Sequence, residues 1–224
     1  MADWRDLLWR RFEADLFDVP STDRLFNPYS DGHPEHDAPD APRTRRENLR
    51  AALDAVAGAA PGGRPNVLVV GEAPGPWGAR FTGVPFTNER QLLDLQFPLV
   101  GRPTSAQFAA TGEPIREHSG AVYWDAMLPH WGRFWTWNAL PLHPHRPGAP
   151  LTVRTPAGAE IHPWHGLLAA TVEAVQPRAV LAVGRKAEGA LDAIDAAPVY
   201  VRHPSQGGAD LFRRGVAAFW KGMG

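Results

Sequence analysis

The sequence predicts an α/β protein: a three-layer α/β/α sandwich around a central, mainly parallel four-stranded sheet. Two observations carry this expectation. Short apolar runs at Asn66–Gly71, Arg133–Ala139, Ala179–Gly184 and Pro198–Arg202 have the length and β-branched content of buried strands. Between and after them lie stretches with helical periodicity at 163–176, 185–195 and 209–221. Strands that alternate with helices form parallel sheets, because a parallel pair needs a crossover and the crossover helices cover both faces.

The elements follow in order. Trp4, Leu7, Leu8, Phe12 and Leu16 recur at helical spacing, so residues 3–18 read as an amphipathic helix. Residues 20–43, with several Pro, Asp and His, read as an irregular connector. An alanine-rich helix is expected from Thr44 to Ala59, ended by Pro61-Gly62-Gly63. The run 66–71 reads as a buried parallel strand leading into a loop, and the weaker run 133–139 ends in Asn138. At 224 residues one domain is expected over 1–224, with 1–60 as a helical extension and 66–220 as its core.

Composition narrows the function classes. The chain carries 23 Lys+Arg against 24 Asp+Glu, a net charge of -1, so any nucleic-acid face must be a local patch. The absence of cysteine excludes disulfides, thiolate metal sites and iron–sulfur clusters. Met1–Arg11 carries Asp3, Arg5, Asp6, Arg10 and Arg11, unlike a signal peptide, and no stretch approaches the ~20 apolar residues of a membrane span. A cytoplasmic monomer is expected.

Three of the four strand candidates end in polar, chemically capable clusters: Gly71-Glu72-Ala73-Pro74-Gly75, Trp137-Asn138, and His203-Pro204-Ser205. A parallel sheet gathers such ends at one edge, where ligands bind. Gly71–Gly75 followed by Thr82-Gly83-Val84-Pro85-Phe86 resembles the first motif of the uracil-DNA glycosylase superfamily. The "GEAPG" spelling is similar to the iron–sulfur branch, and the "GPWGARFTGVPF" continuation to the single-strand-selective monofunctional branch. His203-Pro204-Ser205 resembles the second motif, and Val183–Glu188 the "GRxAE" strand-to-helix turn. The resemblance covers about residues 66–220. It implies a monofunctional glycosylase that hydrolyses the N-glycosidic bond of uracil, or of a related deaminated or oxidised base, and so initiates base excision repair. DNA, single- or double-stranded with the base flipped out, is the implied partner; no cofactor is implied.

Breaking that bond generates an oxocarbenium-like sugar and an anionic base, which calls for a base slot, an edge reader, an oxyanion donor, a positioned water and a grip on the backbone. Phe86 is the expected slot wall, or else a core residue after a turn. Asn138 presents an amide donor and acceptor to the O4 and N3–H of uracil, or else caps a strand end. Gly71 and Ala73 complete the binding strip. His203 is expected to donate to the uracil O2, or else packs beneath a Pro-Ser turn. Glu72 is expected to hold or activate water, or else caps a loop. Ala73 stands where much of the superfamily carries Asp or Asn. Gly75 stands where some relatives carry a tyrosine that excludes the thymine methyl. That wall is therefore expected to rely on backbone or water, or to tolerate a 5-substituent.

Pro204, Ser205 and Gln206, with Gly207 and Gly208, are expected to press into the minor groove, with Gln206 filling the gap left by the flipped base. Arg202, Arg213 and Arg214 are expected to contact phosphates, unless Arg213 and Arg214 form a solvated face. No GxSxG elbow surrounds Ser205, which argues against a nucleophilic serine. His143, His145, His162 and His165 lack the carboxylate or cysteine spacing of a metal site, so none is expected. Trp131, Phe134, Trp135 and Trp137 read as strand packing or as a DNA-stacking surface. The iron–sulfur branch braces itself with four cysteines. Here the segment 99–130 and the N-terminal helices are expected to do so. Two rival functions remain: a weakly catalytic uracil-DNA binding module, or a small-molecule or nucleotide hydrolase on a similar sheet. GxGxxG and GxxxxGK[ST] phosphate loops are both absent.

Overall fold

The computed structural model describes residues 3–223. Helix α1 (Trp4–Asp15) starts where Asp3 accepts the Arg5 backbone N–H, and its stripe of Trp4, Leu8 and Phe12 is buried. Next come β1 (Leu25–Phe26), α2 (Ala41–Ala59), β2 (Val67–Gly71), and the short helices α3 (Ala79–Thr82) and α4 (Glu89–Leu92). Helices α5 (Ala106–Thr111) and α6 (His118–Met127) lead to β3 (Phe134–Asn138) and β4 (His143–Pro144). The chain closes with α7 (Gly158–Ile161), α8 (His165–Val175), β5 (Ala179–Val183), α9 (Arg185–Asp192), β6 (Val199–Val201) and α10 (Ala209–Gly222).

The four-stranded sheet has the order β3-β2-β5-β6, and every pairing in it is parallel. Its layers follow from the two-residue period of a strand. On β3, Trp135 and Trp137 face one way, against Trp4 and Phe12 of α1, with Phe12 and Trp137 stacked at 4.4 Å. Phe134 and Thr136 face the other way, against Trp124 and Tyr123 of α6 and Trp220 of α10. Helix α8 packs on α1, α9 on β5, and α10 on α6 and β6. The aromatic block is therefore strand packing, with Phe134, Trp135 and Trp137 all buried.

Two expectations about the first 60 residues need correction. Segment 20–43 is not wholly irregular: β1 pairs antiparallel with β4, Phe26 opposite His143, and α2 begins at Ala41 with Pro42 in its first turn. The N-terminal helices are also part of the core rather than an appendage. The segment 99–130 contributes α5 and α6.

A buried ionic cluster ties these pieces together. Arg45 of α2 and Arg80 of α3 both pair with Asp37, and all three side chains are inaccessible. Arg45 also donates to Pro28 O (3.2 Å), Asp31 O (3.1 Å) and Thr104 Oγ1 (3.2 Å). The Arg80 guanidinium lies 4.4 Å from the Phe26 ring centre and 4.2 Å from that of Phe81. Burial pulls Arg45 down to about 10 against the opposing pull of Asp37, so it remains a cation at neutral pH. Nearby, buried Glu89 accepts from the Thr104 and Ser105 N–H groups (2.7 Å each), the Ser105 hydroxyl (2.7 Å) and the Ile115 N–H (3.1 Å). This gives the bracing role expected of the N-terminal and 99–130 segments a specific form.

Asp37→Ala leaves two arginines buried without a counter-charge, which is expected to cost about 3–5 kcal/mol. Urea unfolding followed by tryptophan fluorescence measures it; a midpoint unchanged from wild type would show that the cluster is not structural.

Candidate active site

The strand register places the site. Gly71 and Asn138 sit level at the carboxyl ends of β2 and β3, and β5 and β6 end beside them at Val183 and Val201. The chain leaves β2 to one side for β3 and later to the other for β5, so the strand order reverses at this point, where a crevice forms. A cavity of about 420 Å³ opens there. It takes Glu72–Gly75 from the β2 end, Asn138 from β3, Lys186 from α9, and Arg202 and His203 from the β6 end.

Phe86 and Asn138 converge over Gly71. A Cβ on that glycine would lie 2.6 Å from Phe86 Cε2 and 2.7 Å from Asn138 Oδ1, so only a glycine admits both groups. Phe86 lies in the left-handed region at φ 54° and stacks on buried Tyr123, with centres 4.2 Å apart and planes at 9°. Tyr123 is fixed in turn by a 2.6 Å hydrogen bond to Thr136. Phe86 thus has one face backed by an aromatic ring, and it lines the cavity.

His203 lies 5.8 Å from Phe86, ring centre to ring centre. Its Nδ1 accepts the Ser205 backbone N–H at 3.2 Å, with the Ser205 hydroxyl at 2.8 Å. Because Nδ1 accepts, the proton of the neutral ring sits on Nε2. Burial, aided by the nearby Arg202 cation, pulls His203 down to about 4, so the ring is a neutral donor at physiological pH. Glu72 folds over Gly184, and its Oε1 accepts the Lys186 N–H at 3.2 Å at the start of α9, where the helix dipole favours a negative group. Glu72 also lines the cavity.

The family model of the uracil DNA glycosylase superfamily matches residues 58–220. The chain belongs to the uracil-DNA glycosylase superfamily. Among solved structures, wild-type SMUG2 of Pedobacter heparinus superposes with a TM-score of 0.64, covering 99% of this chain and 98% of that one, at 15% identity. At that identity the likeness is one of fold. No curated protein matches the chain.

Several expected site residues of this superfamily member fall into the cavity together: Glu72, Ala73, Gly75, Phe86, Asn138, Arg202, His203, Ser205 and Gln206 all line it. Gly71 forms the floor beneath Phe86 and Asn138, and Pro204 is buried behind the lining. Gln206 is exposed, with φ 52°, at the tip of its loop. Arg213 is the exception. It lies on α10, paired with Asp125 (3.2 Å) and Asp210 (3.4 Å), and does not line the cavity. Helical periodicity turns it away from the strand-end loops, despite its closeness to them in sequence.

Other residues were not foreseen. Arg185 and Lys186 stand at the mouth with Arg202, and Arg185 lies 3.9 Å from the Tyr200 ring centre. Buried His143 places Nδ1 2.8 Å from Pro74 O and so holds the first motif's turn. The pairing of β1 with β4 sets it there, which no spacing reveals. Burial pulls His143, too, down to about 4. Glu117, from the segment just before α6, also lines the cavity. Its carboxyl occupies the space beside Gly75: a Cβ on Gly75 would lie 2.1 Å from Glu117 Oε1. Burial raises the Glu117 carboxyl above the ordinary range. Away from the cavity lining, His33, Glu35 and His36 bring possible ligand atoms within 4.8 Å of one another; none belongs to the four histidines considered from sequence.

His143 and His203 set the acid response. Between about pH 6.5 and 4 the unfolded chain takes up protons that these native histidines refuse, so stability falls with falling pH across that window. Chemical unfolding at stepped pH measures this, and His143→Phe is expected to flatten part of the slope. A histidine NMR titration with both rings near 6.5 would contradict it.

Proposed function

We propose that this protein is a monofunctional DNA glycosylase that hydrolyses the N-glycosidic bond of uracil, or of a related deaminated base, in DNA. The observation that carries it is the convergence of Phe86, Asn138 and His203 on one cavity at the sheet edge. A flipped uracil fits these groups in order around its ring. Its face stacks on Phe86, its N3–H and O4 meet the Asn138 amide, and its O2 meets Nε2–H of His203. As the bond breaks, its electron pair moves to the base and negative charge gathers on O2, where a neutral donor strengthens its hydrogen bond without having to lose a proton. Water adds its oxygen to the sugar carbon and releases a proton to solvent, and the Glu72 carboxylate, at the end of β2 in the cavity lining, is the group proposed to hold that water. Arg202, Arg185 and Lys186 supply the local phosphate patch that the net charge of -1 does not provide in bulk. Among the described residues no helix is long and apolar enough to cross a membrane. The proposal is of a cytoplasmic monomer that needs no cofactor.

A second reading has its own support. Ala73 offers no functional group, and one Glu72 oxygen is already engaged by α9. Both favour a module that binds uracil-containing DNA and cleaves slowly.

The test uses single- and double-stranded oligonucleotides bearing uracil, hypoxanthine, xanthine or 5-hydroxymethyluracil, followed by alkaline cleavage of abasic sites. Release of uracil is expected, with Asn138→Ala and His203→Ala each lowering the rate about 10²–10³-fold. If no base is released, the enzyme reading fails; retained binding would then leave the second reading standing.

A further inference from the structure

We propose that the Glu117 carboxyl is the specificity wall of the base slot, closing it against the C5 edge of a flipped pyrimidine and so rejecting bases with a 5-methyl group. The inference rests on the orientation of the base given above. With O2 at His203, N3–H and O4 at Asn138, and N1 towards the mouth, the C5 edge meets the remaining wall. The proposal assigns that wall to the Ala73–Gly75 strip and Glu117, all of which line the cavity.

Three observations place the carboxyl there by construction. The side chain fills the space of two missing ones: a Cβ on Gly75 would lie 2.1 Å from Oε1, and a Cβ on Gly78 2.2 Å from Oε2. Gly75 is not in the left-handed region, so its lack of a side chain serves space rather than backbone freedom. Glu117 is the N-cap residue of α6 and makes no capping bond to its backbone; its carboxyl is held instead by the Ser119 side chain, which also lines the cavity.

Its protonation suits the position. Burial favours the neutral acid, which can stand beside a base leaving as an anion without repelling it. The wall is thus built from another element than the motif it completes. Glu117 touches the base edge and selects; the bond-breaking chemistry belongs to other groups.

The test compares release of uracil and of thymine from G·U and G·T pairs in one sequence context, for wild type, Glu117→Ala and Glu117→Gln, with melting curves to verify folding. Removing the wall is expected to raise the thymine-to-uracil ratio about 10–200-fold in Glu117→Ala, the worth of one methyl-sized pocket change. Glu117→Gln, of the same shape, is expected to keep the wild-type ratio. An unchanged ratio in folded Glu117→Ala overturns the proposal. Calorimetric binding of free uracil and free thymine separates this from the proposed function and covers a variant that does not fold. Wild type is expected to bind uracil at least about 10-fold more tightly than thymine. If it does so while releasing no base from DNA, the glycosylase reading fails and the wall stands. If both bases bind equally, or neither binds, the wall falls, whatever the cleavage assay shows.

Discussion

Asp37, Arg45 and Arg80 meet where no water reaches, and the site depends on that meeting. The loop from Glu72 to Asn88 carries the first motif and contains only one turn of helix. Arg80 anchors the middle of that loop to Asp37 and, through it, to α2. Glu89 anchors its end to Thr104, Ser105 and Ile115. Each buried charge would be costly alone; here two cations share the Asp37 carboxylate, and the backbone and hydroxyl oxygens around Arg45 add hydrogen bonds. The N-terminal helices and the segment before α6 thereby become parts of the site although only Glu117 among them enters the cavity.

Electrostatics inside the cavity follow from the same enclosure. Burial disfavours charge on three groups of the lining: His143 and His203 are held neutral, and Glu117 is pushed towards its acid form. The cations stand instead at the mouth, where Arg185 and Arg202 keep contact with solvent and can meet phosphates. A neutral slot beneath a cationic rim suits a ligand whose base is uncharged and whose backbone is an anion.

Motif and periodicity made much of this legible. The four strands and the helices 163–176, 185–195 and 209–221 were visible because each buries a face whose period the sequence records. Glu72, Asn138 and His203 could be brought together from sequence because a parallel sheet aligns strand ends. Helix 41–59 was visible too, but its first turn was hidden by Pro42, which belongs at a helix start. The ribbon of β1 and β4 has two residues in each strand, too short for any pattern.

The sequence by itself determined the α/β class, the edge on which the site lies, and the family of which the chain is a member. Those properties follow from local runs and from motifs contiguous in the chain. Tertiary structure alone decided that Arg213 faces away, that His143 holds Pro74, that Arg45 and Arg80 share Asp37, and that Glu117 fills the space beside Gly75. Each of these is a contact between segments distant in sequence or set by the rotation of a helix. A single chain carries no periodic trace of which buried charge will meet which.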